Sequence, residues 1–199
     1  MALEINLLVS RLLAALRDDV LPLTRDGVRE GNKVFGAAVL HGESLELVIA
    51  GTNQEVANPL FHGEISCLNR YWALPAKDRP PPTECLFLST HEPCSMCLSA
   101  ITWSGFTSFY YLFSYEDTRD EFEIPHDLAM LEEVFRCSDG AYAETNAYWQ
   151  SHYIMALIEQ CPENDRAKWR EHVAHLKAEY DVLSSRYQAG KETSDIPLR

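Results

Sequence analysis

The sequence is short of several things, and each shortage removes a class of protein. No apolar run in its 199 residues approaches the roughly 20 residues that a membrane span needs. The start of the chain lacks the form of a secretory signal: Glu4 and Arg11 interrupt its apolar positions, and no small-residue cleavage site follows a basic start. A cytoplasmic protein without membrane contact is therefore expected. Basic residues are scarce, 17 against 30 acidic ones, for a formal net charge of −13, and no Lys/Arg cluster stands out. Such a surface repels phosphate backbones. No nucleic-acid partner is expected, and a small neutral or weakly basic substrate is favoured. The six cysteines are too few and too scattered for the disulfide framework of a secreted domain. Only Cys94 and Cys97 lie close together; Cys67, Cys85, Cys137 and Cys161 read as reduced thiols. Internal repeats and low-complexity segments are also missing.

What remains is an ordinary globular chain, 46% hydrophobic and 24% charged, long enough for one domain with a sizeable core. Leu3, Leu7, Leu8, Leu12, Leu13 and Leu16 predict an amphipathic helix over 3–17, followed by a polar turn from Arg25 to Asn32. Val34 to Leu40 and Leu45 to Ala50 read as two strands joined by a hairpin at 41–44. The stretch 62–73 is helical. Prolines make 75–83 a loop, 85–90 a strand, 94–103 a helix and 107–113 a further strand. The order αββαβαβ argues for a three-layer α/β domain. After a polar stretch to Pro125, helices are expected over 128–136, 148–160 and 165–187. The last carries a heptad seam of Trp169, Val173, Leu176, Tyr180, Leu183 and Tyr187, which packs either on the protein's own body or on another subunit. Residues 188–199 read as a frayed tail. The core is placed at about 30–137, with a C-terminal helical extension at about 146–187.

Two segments carry chemistry. His62-Gly63-Glu64 is followed, 28 residues later, by Pro93-Cys94-Ser95-Met96-Cys97. One imidazole and two thiolates make three zinc ligands. A structural site would close with a fourth protein ligand, whereas a catalytic site leaves that position to water. No second C-x-x-C, C-x-x-H or H-x-x-x-H pair is spaced to close this one. Cys94 and Cys97 fall on the first turn of a helix, whose dipole favours thiolates. Glu64, two residues past His62, is suited to take a proton from an acidified water and hand it to a leaving nitrogen. Taken singly, His62 and Glu64 would be helix-start residues, and the cysteine pair a redox motif or half a zinc knot. Jointly they are far more specific. His91-Glu92-Pro93-Cys94-Ser95 opens like a metalloprotease H-E-x-x-H, but Ser95 stands where the second histidine belongs.

The paired motifs H-x-E and P-C-x-x-C are those of zinc nucleobase deaminases, and over about residues 30–135 the chain resembles the cytidine deaminase-like superfamily. The resemblance implies a three-layer α/β/α fold with a mixed five-stranded sheet flanked by helices, here with additional C-terminal helices. It implies a Zn2+ ion held by His62, Cys94 and Cys97, with Glu64 as the catalytic acid–base. Leu60-Phe61-His62-Gly63-Glu64-Ile65-Ser66 is similar to fungal cytosine deaminases. Glu92 and the run Met96-Cys97-Leu98-Ser99-Ala100-Ile101-Thr102-Trp103 are similar to guanine deaminases and tRNA adenosine deaminases. By the same resemblance Asn53 would hydrogen-bond the edge of a base, Asp117 would contact a purine, and Phe61, Trp103 and Phe35 would line or close the pocket. A small-molecule substrate and a homodimer are implied, with a free nucleobase as the expected substrate, guanine before cytosine. The alternatives are a tRNA or nucleotide deaminase, which −13 charges disfavour, and a non-catalytic interaction module.

Overall fold

Leucines at helical spacing open the chain. The computed structural model, which describes residues 4–198, carries that helix further than the spacing predicts; Leu3 lies outside the described residues. Helix α1 (Ile5–Ala15) passes through one π turn (Leu16–Val20) into α2 (Leu21–Arg29). Pro22 falls in the first turn of α2, and the wider π turn before it accommodates a ring that an uninterrupted α-helix would not. The polar stretch from Arg25 is therefore helical as far as Arg29.

Strands β1 (Gly36–His41) and β2 (Leu47–Thr52) form the expected hairpin. Strand β3 (Cys85–His91) pairs antiparallel with β1, then β4 (Ser108–Phe113) and β5 (Gln150–Tyr153) follow in parallel, giving one mixed sheet of order β2-β1-β3-β4-β5. Because side chains alternate along a strand, each strand feeds two cores. Ala38, Leu40, Leu88, Tyr110 and Leu112 join the core on one face, while Ala37, Val39, Phe87, Phe109 and Tyr111 join the other. The second face is covered by α3 (Gly63–Ala73) and α4 (Ser95–Trp103). The first is covered by α1, α2, α7 (Ile154–Gln160) and α8 (Glu163–Gly190).

The segment 148–160 is not one helix. Its first half is β5, fixed at the sheet edge by cross-strand stacking of His152 on Tyr110 (centroids 4.6 Å apart) and of Tyr153 on Tyr111 (5.3 Å). The polar stretch after Phe113 holds a short helix α5 (Tyr115–Asp120) with a Ser114–Asp117 capping box, and α6 spans His126–Phe135. The heptad seam resolves inward. Trp169, Leu176, Tyr180, Leu183 and Tyr187 are buried in the same core as α1 and α2, and Trp169 Nε1 donates to Asn6 Oδ1 at 2.6 Å. The described part of the predicted tail is not frayed: after a 3-10 turn (Lys191–Thr193) the chain buries Ile196 to 2% exposure. Among the described residues no helix is long and apolar enough to cross a membrane.

Candidate active site and metal centre

Two helix N-termini converge on one face of the sheet. His62 is the N-cap of α3 and Cys94 the N-cap of α4. Gly63 lets α3 come this close, since a Cβ there would sit 2.7 Å from Gly36 Cα. His62 Nδ1 lies 3.5 Å from Cys94 Sγ, and the ligand atoms of His62, Cys94 and Cys97 all lie within 4.8 Å of one another. A tetrahedral zinc with bonds of about 2.0–2.3 Å holds such atoms roughly 3.3–3.8 Å apart, so the trio fits zinc in donor type and nearly in spacing. Among the described residues this group holds three donors, and a catalytic zinc site leaves its fourth position to water.

Electrostatics set the protonation of the trio. Cys94 is held well below the usual thiol range, first by a hydrogen bond from Cys97 and then, against burial, by His62, while burial pushes Cys97 up. The pair thus behaves as one thiolate and one thiol until a cation arrives. Burial works against charge on His62, but the Cys94 hydrogen bond and the Cys94, Glu55 and Glu64 charges prevail and raise it to about 9. Zinc binding must therefore displace protons here.

Glu64 is 4% exposed. Ser89 Oγ donates to its Oε1 at 2.6 Å, and Cys97 Sγ lies 3.3 Å from its Oε2. Burial raises its pKa, partly offset by the Ser89 bond. A raised carboxyl beside a metal trio is poised to hold a proton and release it.

In front of the trio lies a cavity of about 330 Å3. Its wall includes Lys33, Phe35, Glu55, Met96 and Asp127, and the C-terminal Ile196, Pro197 and Leu198 line it as well. Burial, followed by the Cys94 charge, pushes Asp127 up to about 8.

The structure brings His62, Glu64, Cys94, Cys97 and Phe35 together, and separates the other expected residues from them. Asp117 does not reach the cavity: its Oδ2 accepts from Ser114 N at 2.8 Å and Ser114 Oγ at 3.0 Å, so the carboxylate is spent as the cap of α5. Trp103, the last residue of α4, is 91% exposed and points to solvent rather than to a ring. Phe61 is half-buried off the wall, while its neighbours Leu60 and His62 line it. Asn53 is fully buried, and its Nδ2 donates to Glu55 Oε2 at 2.5 Å, so Glu55 rather than Asn53 faces the cavity. Lys33, Glu55 and Asp127 were not foreseen. The hairpin register was a usable signal for the first two: Gly36 faces Thr52, and counting outward three residues each way brings Lys33 opposite Glu55. Asp127 had none, because a 13-residue excursion (114–126) from the end of β4 through α5 carries it back.

A mixed five-stranded sheet, two helix N-termini meeting in a His–Cys–Cys trio, and a buried carboxylate beside it define a class, the zinc-dependent deaminases, which hydrolyse C–N bonds. Residues 16–113 match the cytidine and deoxycytidylate deaminase zinc-binding region. Over that stretch, just under half of its 199 residues, the chain is similar to that deaminase family. In fold it is similar to a guanine deaminase from Nitrosomonas europaea (23% identity, covering 82% of this chain and 81% of that one, TM-score 0.50). It is similar also to a mutant protein solved in complex with 8-azaguanine (23% identity, 85% and 84% covered, TM-score 0.53). No curated protein matches the chain by sequence.

Proposed function

We propose that the protein deaminates a free nucleobase, of guanine type before cytosine type, and releases ammonia. The observation that carries this reading is the position of Glu64, buried at 3.3 Å from Cys97 Sγ. His62, Cys94 and Cys97 would hold a zinc ion, which when bound would acidify a water toward neutrality. Glu64 takes a proton from the attacking water and delivers it to the departing nitrogen, so that ammonia and not amide ion leaves. Ser89 Oγ holds Oε1 of Glu64, which leaves Oε2 on the side of the metal trio, 3.3 Å from Cys97 Sγ. Phe35 offers a ring face to a flat heterocycle, and Asp127, as a second carboxyl in the wall, offers a partner to ring nitrogens. A cavity of about 330 Å3 is at the small end of ligand sites, which run from roughly 300 to 1,000 Å3; this favours a base over a nucleotide. The neighbours described above include a guanine deaminase and a protein holding 8-azaguanine, which supports the purine order of preference. We place the protein in the cytoplasm, since its described cysteines are all free thiols, and propose that it acts as one domain and as a homodimer; light scattering reporting a monomer at micromolar concentration removes the last point.

A tRNA or nucleotide substrate is the second reading. The charge of −13 opposes it, and salt-sensitive tRNA binding would revive it. The deciding experiment is ammonia release by zinc-loaded protein from guanine, cytosine, adenine, their nucleosides and small triazines, with Glu64→Ala as control. Turnover of one free base, lost in the control, is the expected result. Zinc-loaded protein that releases nothing from the panel overturns the free-base reading.

A further inference from the structure

A buried ion pair stands behind the metal trio, and the reaction just described does not use it. Lys33 Nζ donates to Glu55 Oε1 at 3.0 Å, with side-chain exposures of 5% and 2%. Removing two charges from water costs more than their attraction commonly returns, and apolar replacements are often neutral or stabilising. A pair kept in the wall of an active cavity therefore calls for a role beyond stability.

Its surroundings indicate that role. Glu55 Oε1 also stands 3.7 Å from His62 Nε2, while Oε2 is held by Asn53 Nδ2. The opposite nitrogen of the same ring, Nδ1, faces Cys94 Sγ. His62 thus lies between the thiol cluster on one side and a carboxylate on the other. The loop that carries Glu55 is itself pinned: Val56 N donates to Asn32 Oδ1 at 2.9 Å, and Gln54 N to Phe61 O at 2.8 Å. Glu55 therefore reports its position to the residue just before His62 through the backbone as well as through the carboxylate.

A neutral imidazole that binds metal through one nitrogen must carry its proton on the other, and an acceptor there fixes both tautomer and ring angle. We propose that Glu55, held in place by Lys33 and Asn53, is the positioning residue for His62: its charge, facing Nε2 from 3.7 Å, keeps the proton on that nitrogen and so presents Nδ1 to the metal. Lys33 balances the carboxylate's charge, which keeps the cavity from accumulating negative charge beside Glu64 and two thiolates. Asn53, with Nδ2 committed to Glu55, acts on the site from behind. The inference rests on the metal-centre reading above.

The test measures zinc affinity by competition with a chromophoric chelator, and melting temperature alongside, for the full chain. Glu55→Gln keeps the shape and one oxygen for Lys33, turns an amide nitrogen toward Asn53 Nδ2 and weakens the acceptor; its metal-free melting temperature is expected to fall, and the zinc Kd of the folded variant to rise about 10–100-fold. The charge swap Lys33→Glu with Glu55→Lys preserves an ion pair but turns an ammonium toward His62, and is expected to lose at least as much affinity. Wild-type affinity in Glu55→Gln, or in the swap, overturns the proposal: the pair is then a strut. A nitrogen-15 spectrum of the zinc-loaded wild type decides the matter if the variants do not fold: a proton on Nε2 of His62 is expected, and metal on Nε2 overturns it. A wild type that takes up no zinc defeats instead the metal-centre reading itself.

Discussion

Two of the chain's histidine–glutamate neighbours have opposite fates. His62 and Glu64 stand at the start of α3, where the helix meets the cavity, and His62 is raised to about 9. His91 ends β3 and Glu92 follows it, and burial pushes His91 down to about 3. His91 is ringed by Phe35, Phe113, Phe122 and Tyr180, with only Thr90 Oγ1 at 2.9 Å for its Nδ1, and its Nε2 has no partner among the described residues. Glu92 accepts from Tyr142 Oη at 2.8 Å and from Tyr115 N at 3.1 Å. One pair is thus chemical and the other architectural, although the residue types are the same. What separates them is whether the side chain comes off a helix start facing a void or a strand end facing aromatic rings.

Mutations can break that contrast in order of size. His62→Ala removes a metal ligand, so zinc uptake and turnover should both vanish, read by metal analysis and ammonia release. Glu64→Gln should keep zinc and lower kcat by roughly 10²–10⁴-fold; loss of zinc in this variant would make Glu64 a ligand and not a proton carrier. Glu92→Ala strands two buried donors at roughly 1–3 kcal/mol each, so it should lower the melting temperature while the folded fraction retains zinc. His91→Phe should matter least near neutrality. His91 is neutral in the folded protein down to about pH 3, whereas the unfolded chain takes up a proton below about 6.5. Stability that is intact above pH 6.5 therefore drains at about 1.4 kcal/mol per unit as the pH falls from there toward 3. His91→Phe should flatten that acid limb in urea titrations at pH 4.5 and 7.5; an unchanged limb would mean that His91 charges in place.

The same contrast shows what could be read before any coordinates. Glu64, His62, Cys94 and Cys97 were legible because each motif is local and sits on the first turn of a helix, where short spacing fixes geometry. Phe35, which lines the cavity, immediately precedes β1, where the apolar run 34–40 marks the place. Asp117 is placed by a signal that competes with its distance from β4: the sequence around it also spells a capping box, Ser114 to Asp117, and in the structure the local hydrogen bonds engage the carboxylate. Asp127 reaches the cavity only after α5 has turned the chain, which no spacing encodes. β5 was hidden because Tyr148 to Gln160 keeps a helical rhythm, and it took the open edge of β4 to pull its first residues into the sheet. The C-terminal end was misread for want of a partner in the sequence for Ile196, whose seat is formed by elements far upstream.

Gly63 leaves no layer of side chain between α3 and β1: backbone rests on backbone, with only 2.7 Å between the place of a missing Cβ and Gly36 Cα. In mechanical terms the mount has zero clearance. A single methyl there works as a shim under one jaw of a vice, lifting His62 and Glu64 together away from Cys94 and Cys97, whose own helix stays bolted to the sheet. A relative with alanine at this position would have to recover the lost gap elsewhere, by a different packing of β1, so the H-G-E form of the motif and Gly36 are best treated as one part made in two pieces.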